Sequence, residues 1–467
     1  MSLLLPWLLL APGLPGVLQS PHDTAPPPGR GQDPPPNVLL LTLDQLSWAY
    51  LGFAGNPALD VETPNLDRLA AESTVFLAHY TDGEVCHPAR SSMLTGKDVL
   101  SHGATDNGVP LPPEETTLAE VLLREGYATG AFGKVHNESE GALQGFQEVF
   151  ENADWGDAVT AAGWSRDETI VWVDEEYETG ISVLPEELRQ EIMATDLALD
   201  FLDRHRGGPW FCYLSLNAPH PPFAPGLQAF LDVYTWEVWT PLPVIQDWIT
   251  KPDPPVDRAL ALQMDQLEFG VANRHYRAYA AMVEEADAQI GRVYTWLESE
   301  GLLDDTIFIF TSDHGDMGGQ LGVFNKLYGA YDSVARVPLL MRYPPVFPAG
   351  STVSELSQHS DLAPTIYEIL DLPPGKRPEM TGSPLQLLLA GNGPIHDKVY
   401  TVLLPFQPEL TALVATDLQY SYFYRPYASD ELYDLALDRG QRVNVVDDPA
   451  YASVAADFLQ ALLDFSQ

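Results

Sequence analysis

The sequence predicts an α/β fold with helices on both faces of its sheet, and three observations carry that prediction. Four continuous apolar runs, Asn37 to Asp44, Ala128 to Phe132, Trp210 to Leu216 and Thr306 to Thr311, each give way to polar or glycine-rich residues. This is the pattern of strands buried on both faces. Helical patterns lie between the runs, at Leu118 to Arg124 and most clearly at His275 to Leu297. Strands alternating with helices build a sheet covered on both sides, which binds ligands beyond the carboxyl ends of its strands. After Pro373-Pro374-Gly375 the character changes. Val399 to Leu404, Leu410 to Thr416 and Gln419 to Tyr424 read as shorter strands, and Tyr451 to Leu463 as a helix. A smaller C-terminal subdomain with an antiparallel sheet follows from this.

Taken in order, residues 1–20 hold the Leu-rich stretch Leu3 to Val17, too short and too broken by Pro6, Pro12 and Pro15 to span a bilayer. No stable membrane insertion is expected. The stretch resembles a signal-peptide core, so export to the periplasm or beyond is expected, with a cytoplasmic protein if the leader does not function. Residues 21–36 contain seven prolines and read as an extended linker, with the folded body starting near Asn37. The division expected is 37–391 for the main domain and 392–467 for the C-terminal subdomain.

Composition narrows the function. Of 467 residues, 45% are hydrophobic, which excludes a disordered chain and a multi-span membrane protein. The formal charge is −42, with only six lysines beside 18 arginines, so a general nucleic-acid binder is excluded for want of a basic footprint. Two cysteines allow at most one disulfide. Cys212 sits in the apolar run Phe211 to Leu216 and reads as a buried hydrophobe. Cys86 lies in polar surroundings.

The strongest local signal is Cys86-His87-Pro88-Ala89-Arg90-Ser91-Ser92-Met93-Leu94-Thr95-Gly96. At this chain's composition a C-x-P-x-R is expected by chance roughly 0.007 times. A residue at position 86 would open a helix whose amide dipoles favour an anion. The element resembles the signature of the type I sulfatases of the alkaline phosphatase superfamily, in which a formylglycine-generating enzyme oxidises the cysteine to Cα-formylglycine. Its hydrate would supply the nucleophile. The resemblance runs in order from Asn37 to about Gly391 and implies an alkaline-phosphatase-like fold, a large, mixed and mostly parallel sheet sandwiched by helices.

The other motifs gain roles from that resemblance. Asn37 to Gln45 resembles the first metal strand and Thr311-Ser312-Asp313-His314-Gly315-Asp316 the second metal element. The family commonly has two consecutive acids in the first, whereas here Asp44 is followed by Gln45. Asp-Gln with Asp-His is the combination of the choline-sulfatase and phosphonate-monoester-hydrolase branches. The implied ligands are Asp44, Gln45, Asp313, His314 and residue 86, an oxygen-rich set for one divalent cation. Calcium is the first expectation, with magnesium or manganese as alternatives. Gly133-Lys134-Val135-His136 implies a sulfate-binding Lys134 and a proton acceptor in His136. Asn217-Ala218-Pro219-His220 implies that His220 protonates the leaving oxygen. Lys326 matches a second sulfate-binding lysine, and Arg90 would hold the diol. Each His or Lys alone reads as an ordinary surface or capping residue; together they follow successive strand ends.

The implied activity is hydrolysis of a small sulfate monoester. Hydrolysis of a phosphonate monoester or phosphodiester is the alternative, and a non-catalytic relative the lesser one. Choline sulfate, an aryl sulfate and a sugar sulfate all remain open as substrate, as does the oligomeric state. Trp236, Trp239 and Trp248, in Leu227 to Glu268, read as core or as a pocket wall. Asn137-Glu138-Ser139, a formal glycosylation acceptor, reads as a structural loop beside the pocket.

Overall fold

A computed structural model describes residues 34–54, 61–136, 144–165, 168–174, 178–229, 269–318, 325–326, 330–391, 393–404 and 411–467. The leader, most of the proline linker, Asn137 to Ser139 and Trp236, Trp239 and Trp248 lie outside the described residues.

The main sheet contains β1 (Asn37–Asp44), β2 (Thr74–Tyr80), β3 (Ala128–Gly133) and β4 (Glu148–Phe150). β5 (Ile170–Asp174) and β6 (Thr179–Ser182) form a separate hairpin. β7 (Trp210–Pro219), β8 (Thr306–Ser312), β9 (Leu339–Arg342) and β10 (Ser351–Gln358) complete the sheet in the order β10-β2-β9-β8-β1-β7-β3-β4. β1 is central, parallel to both β7 and β8. β9 alone runs against its neighbours β2 and β8, so the sheet is mixed and mostly parallel.

All eight residues of β1 are buried, and the alternation of its side chains divides the core. Leu39, Leu41 and Leu43 pack on one face with Ala194, Phe201 and Leu202 of the helix Gln190–His205 and Ile290, Val293 and Leu297 of the helix Phe269–Ser299. Val38 and Leu40 face Leu118, Val121 and Leu122 of the helix Leu118–Arg124 and Ile366 and Tyr367 of the helix Leu362–Ile369. The helix Leu118–Arg124 starts at a capping box, Thr117 accepting from Glu120 N while Glu120 accepts from Thr117 N.

β11 (Val399–Leu403), β12 (Ala412–Thr416), β13 (Tyr420–Tyr424) and β14 (Glu431–Asp434) form the antiparallel C-terminal sheet, covered by the helix Ala452–Phe465. Strand composition did not single out β2, β4, β5, β6, β9, β10 and β14. β9 and β14 have four residues each, too few to show a period. Both cysteines are free thiols. No described helix is long and apolar enough to cross a membrane.

Candidate functional site

β1, β3, β7 and β8 deliver polar residues to one edge of the sheet, and the helix Cys86–Thr95 opens beside them. Cys86 is its first residue, 1% exposed, so its side chain stands at the positive end of the helix dipole. Gly133 permits the close passage of β3 beyond β7. Its φ is 98°, and a Cβ there would lie 2.0 Å from the Ser215 carbonyl oxygen. The next residue, Lys134, donates its N–H to that same carbonyl at 2.7 Å, which turns its side chain into the site.

Four groups converge on Cys86 Sγ. Lys326 Nζ lies 3.1 Å away, His314 Nε2 3.3 Å, Lys134 Nζ 3.6 Å and Asp44 Oδ1 3.7 Å. Sγ here occupies the place that an oxygen on the same Cβ would take in a formylglycine. Burial opposes ionisation of the thiol, but Lys326, Lys134, His314 and a hydrogen bond from His136 outweigh it and hold its pKa well below the usual range. Burial and Cys86 likewise oppose ionisation of Asp44. Lys134, His220 and Lys326 prevail and keep that carboxyl well below its ordinary value.

Arg90, 1% exposed, is the hub beneath. Nη2 lies 3.0 Å from Asp44 Oδ2 and 2.9 Å from Asp313 Oδ2, and Nε donates to Asp313 Oδ2 at 2.9 Å. Nη1 donates to Tyr213 Oη at 3.0 Å, and also to Ser215 Oγ and the Lys134 carbonyl. Lys134 Nζ closes the network on Asp44 Oδ2 at 2.6 Å. The hydrogen bonds of Arg90 thus go to the two carboxylates, Tyr213, Ser215 and the Lys134 carbonyl rather than to residue 86.

Asp44, Cys86, Asp313 and His314 present ligand atoms all within 4.8 Å of one another, and all four residues are buried. His314 Nδ1 pairs with the Gly315 carbonyl at 2.9 Å, which places a proton there, so that in the neutral ring Nε2 is the lone-pair nitrogen facing the cluster. Gln45 Nε2 donates to Asp316 Oδ2 at 2.6 Å and to Asn325 Oδ1 at 3.2 Å, while Gln45 Oε1 is buried with no hydrogen-bond partner among the described residues. Two carboxylates and an imidazole nitrogen, with the buried amide oxygen of the residue after Asp44, form a donor set that fits a hard divalent cation. The end of β1, with Asp44 and Gln45, and the segment Asp313-His314 therefore meet in space, as do Lys134 and Lys326.

His220 and His136 stand at the rim. His220 Nε2 is 4.0 Å from Asp44 Oδ1 with its side chain 25% exposed, and His136 is half-buried at a φ of 57°. Every site residue expected from the sequence thus belongs to one cluster.

Several participants escaped the sequence reading. Ser215 and Tyr213 lie inside an apolar run, and the motif containing Asp316 suggested no job for it. His87 Nδ1 pairs with the His136 carbonyl at 2.8 Å, and His87 N donates to Asn107 Oδ1 at 3.0 Å. Adjacency to Cys86 was the only signal available for His87.

Comparison with known proteins agrees with this geometry. The family model described as "Sulfatase" matches residues 36–372, and one described as "N-sulphoglucosamine sulphohydrolase, C-terminal" matches residues 319–467. A choline-sulfatase of Rhizobium meliloti is 28% identical, over 89% of this chain and 83% of its own. An arylsulfatase of Clostridium perfringens is 30% identical, over 71% of this chain and 74% of its own. Among solved structures, a phosphonate monoester hydrolase of Agrobacterium radiobacter superposes with a TM-score of 0.77 at 25% identity, covering 92% of this chain and 95% of that one.

Proposed function

The chain belongs to the sulfatase family, and from that premise we propose that it hydrolyses a small sulfate monoester with a formylglycine made from Cys86. The observation that carries this reading is the ring of two lysines, an imidazole and a carboxylate within 3.7 Å of Cys86 Sγ. Such a ring suits an oxyanion nucleophile and a tetrahedral anion bound together.

Asp44, Gln45, Asp313, His314 and residue 86 would hold one divalent cation, calcium first, supplying Lewis acidity toward the sulfuryl oxygens. One hydroxyl of the hydrated formylglycine, its proton released to solvent so that it reacts as the oxyanion, forms the new S–O bond. The ester S–O bond breaks, and His220 gives its proton to the departing alcohol oxygen. Lys134 and Lys326 offset the charge on the non-bridging oxygens. His136 then takes the proton of the second hydroxyl, the carbon–oxygen bond to sulfate breaks, and the aldehyde re-forms. A water addition restores the diol. A serine at position 86 has no second hydroxyl to expel sulfate, which is why a diol is needed.

The choline-sulfatase relative supports a small substrate. So does the charge of −42, which repels polyanions from everything but the local cationic pocket. A second reading, phosphonate monoester hydrolysis, is favoured by the phosphonate hydrolase neighbour and by the Asp-Gln and Asp-His pairs. Parallel assays of the purified chain on p-nitrophenyl sulfate and on phenyl phosphonate esters separate the two. A phosphonate rate far above the sulfate rate overturns the first reading. Intact mass tests the modification, since conversion of the cysteine lowers the mass by about 18 Da. Unmodified Cys86 in active protein from the native host refutes the nucleophile.

A further inference from the structure

We infer that Asp316 is a positioning residue that selects the oxygen face of the Gln45 amide for the cation and ties that choice to the segment carrying Lys326. The inference rests on the cation site proposed above.

A carboxylate only accepts hydrogen bonds, and Asp316 is surrounded by donors. Its Oδ2 accepts from Gln45 Nε2 at 2.6 Å and from Asn325 N at 3.1 Å. Its Oδ1 accepts from Gly318 N at 2.6 Å and from Asn325 N at 3.2 Å. An amide that turned its oxygen toward Asp316 would set acceptor against acceptor. The NH₂ group must therefore face Asp316, and Asn325 Oδ1 takes its other proton. What remains is Oε1, on the side of the amide turned away from Asp316, buried and without a hydrogen bond among the described residues. A free glutamine amide has two orientations of similar energy; here the second shell removes one of them.

The same carboxylate reaches the anion-binding side. It holds the backbone of Asn325, whose Oδ1 in turn accepts from Lys326 N at 3.0 Å. Gln45 and Asn325 both have positive φ, 69° and 73°, which asparagine tolerates but a glutamine keeps only when its surroundings hold it there. Asp316, itself 1% exposed, is the group that bonds to both. One buried side chain thus fixes a proposed cation ligand and the approach of a proposed sulfate-binding lysine.

The test uses the full chain and calorimetric titration with CaCl₂ and with MnCl₂, comparing wild type, D316N, Q45E and the double variant. In D316N the introduced amide must direct its N–H either at the fixed Gly318 and Asn325 backbone donors or at Gln45. The Gln45 amide relieves the conflict with residue 316 by flipping, at the loss of its hydrogen bond to Asn325 Oδ1, and the flip turns its NH₂ to the cation. Affinity is expected to fall by about 10- to 100-fold. Q45E alone opposes two carboxylates and is also expected to weaken binding. In the double variant the introduced amide donates to the introduced carboxylate, whose second oxygen faces the cation, so affinity recovers by at least about tenfold over D316N. Damage to the fold by D316N would not be repaired by Q45E. A wild type that binds while D316N binds equally well overturns the inference alone, as does a double variant with no recovery. A wild type that binds neither cation overturns the cation site, and this inference with it.

Discussion

Replacing Arg90 with methionine keeps the length of the side chain and removes the charge that two buried carboxylates share. Asp44 and Asp313 are 0% exposed, and the guanidinium is 2.9 to 3.0 Å from each. Breaking a buried pair by deleting one partner costs about 3–5 kcal/mol, because the surviving charge is left unsolvated. The two carboxylates do not suffer equally. Asp44 Oδ2 retains Lys134 Nζ at 2.6 Å, and Asp313 Oδ1 retains the N–H groups of Gln45 and His314 at 3.0 and 2.8 Å. Asp313 Oδ2 loses its only hydrogen bond among the described residues. The sum is a loss of ~4 kcal/mol for R90M, about a thousandfold in the folding constant. R90K keeps the charge but not the fork and reaches one carboxylate, so about half that loss is expected. Urea unfolding of the full chain, followed by tryptophan fluorescence in EDTA so that no cation stands in for the guanidinium, reads the difference. An R90M curve within about 1 kcal/mol of wild type refutes the reasoning, as does an R90K curve as destabilised as R90M.

The two lysines separate binding from architecture. K326A and K134A should each lower kcat/KM on an aryl sulfate by about 10²–10³. K134A alone should also lower the unfolding midpoint, since Lys134 pairs with Asp44 whereas the Lys326 amine hydrogen-bonds, among the described residues, to Cys86 and His314; equal stabilities contradict this. His102 makes stability depend on acid. It is buried, accepts from Ala104 N on Nδ1 at 3.1 Å and pairs through Nε2 with Ser92, and burial above all lowers its pKa to about 3. The unfolded chain therefore binds the proton first, and the His102 contribution, complete above pH 6.5, falls as pH drops toward 3, by ~2 kcal/mol at pH 5. H102Q should flatten the stability-against-pH curve over that window, and an unchanged slope refutes the assignment. Activity on polymeric sulfate esters should rise with ionic strength, as salt screens the acidic shell of this chain, while activity on small esters changes little; polymer turnover fastest at low salt contradicts it.

Legibility along the chain followed the range of the interactions involved. β1 matched its expected limits, Asn37 to Asp44, because a strand buried on both faces needs an unbroken apolar run, which is a local property. Leu118–Arg124 did so as well, because its start is a capping box written within four residues. The strand starting at Trp210 extends to Pro219, beyond the expected Leu216, because its polar end is held by parallel pairing with β1 rather than by apolar side chains. The site residues were legible as motifs. Gln45 was expected as a ligand, but no local pattern shows which way an amide turns.

Residue types and their order determined the chemistry: a cysteine opening a helix, carboxylates ending strands, and lysines and histidines following others. They also determined the alternation of strand and helix, since burial patterns repeat along the chain. The strand order β10-β2-β9-β8-β1-β7-β3-β4 belongs to the folded molecule. So does the Arg90 bridge between carboxylates 46 and 223 residues away, and the Asp316 contact with Gln45 across 271. Satisfying a buried charge or amide is a demand on whatever the fold brings within about 3 Å, and that neighbourhood is assembled from segments that share no local pattern.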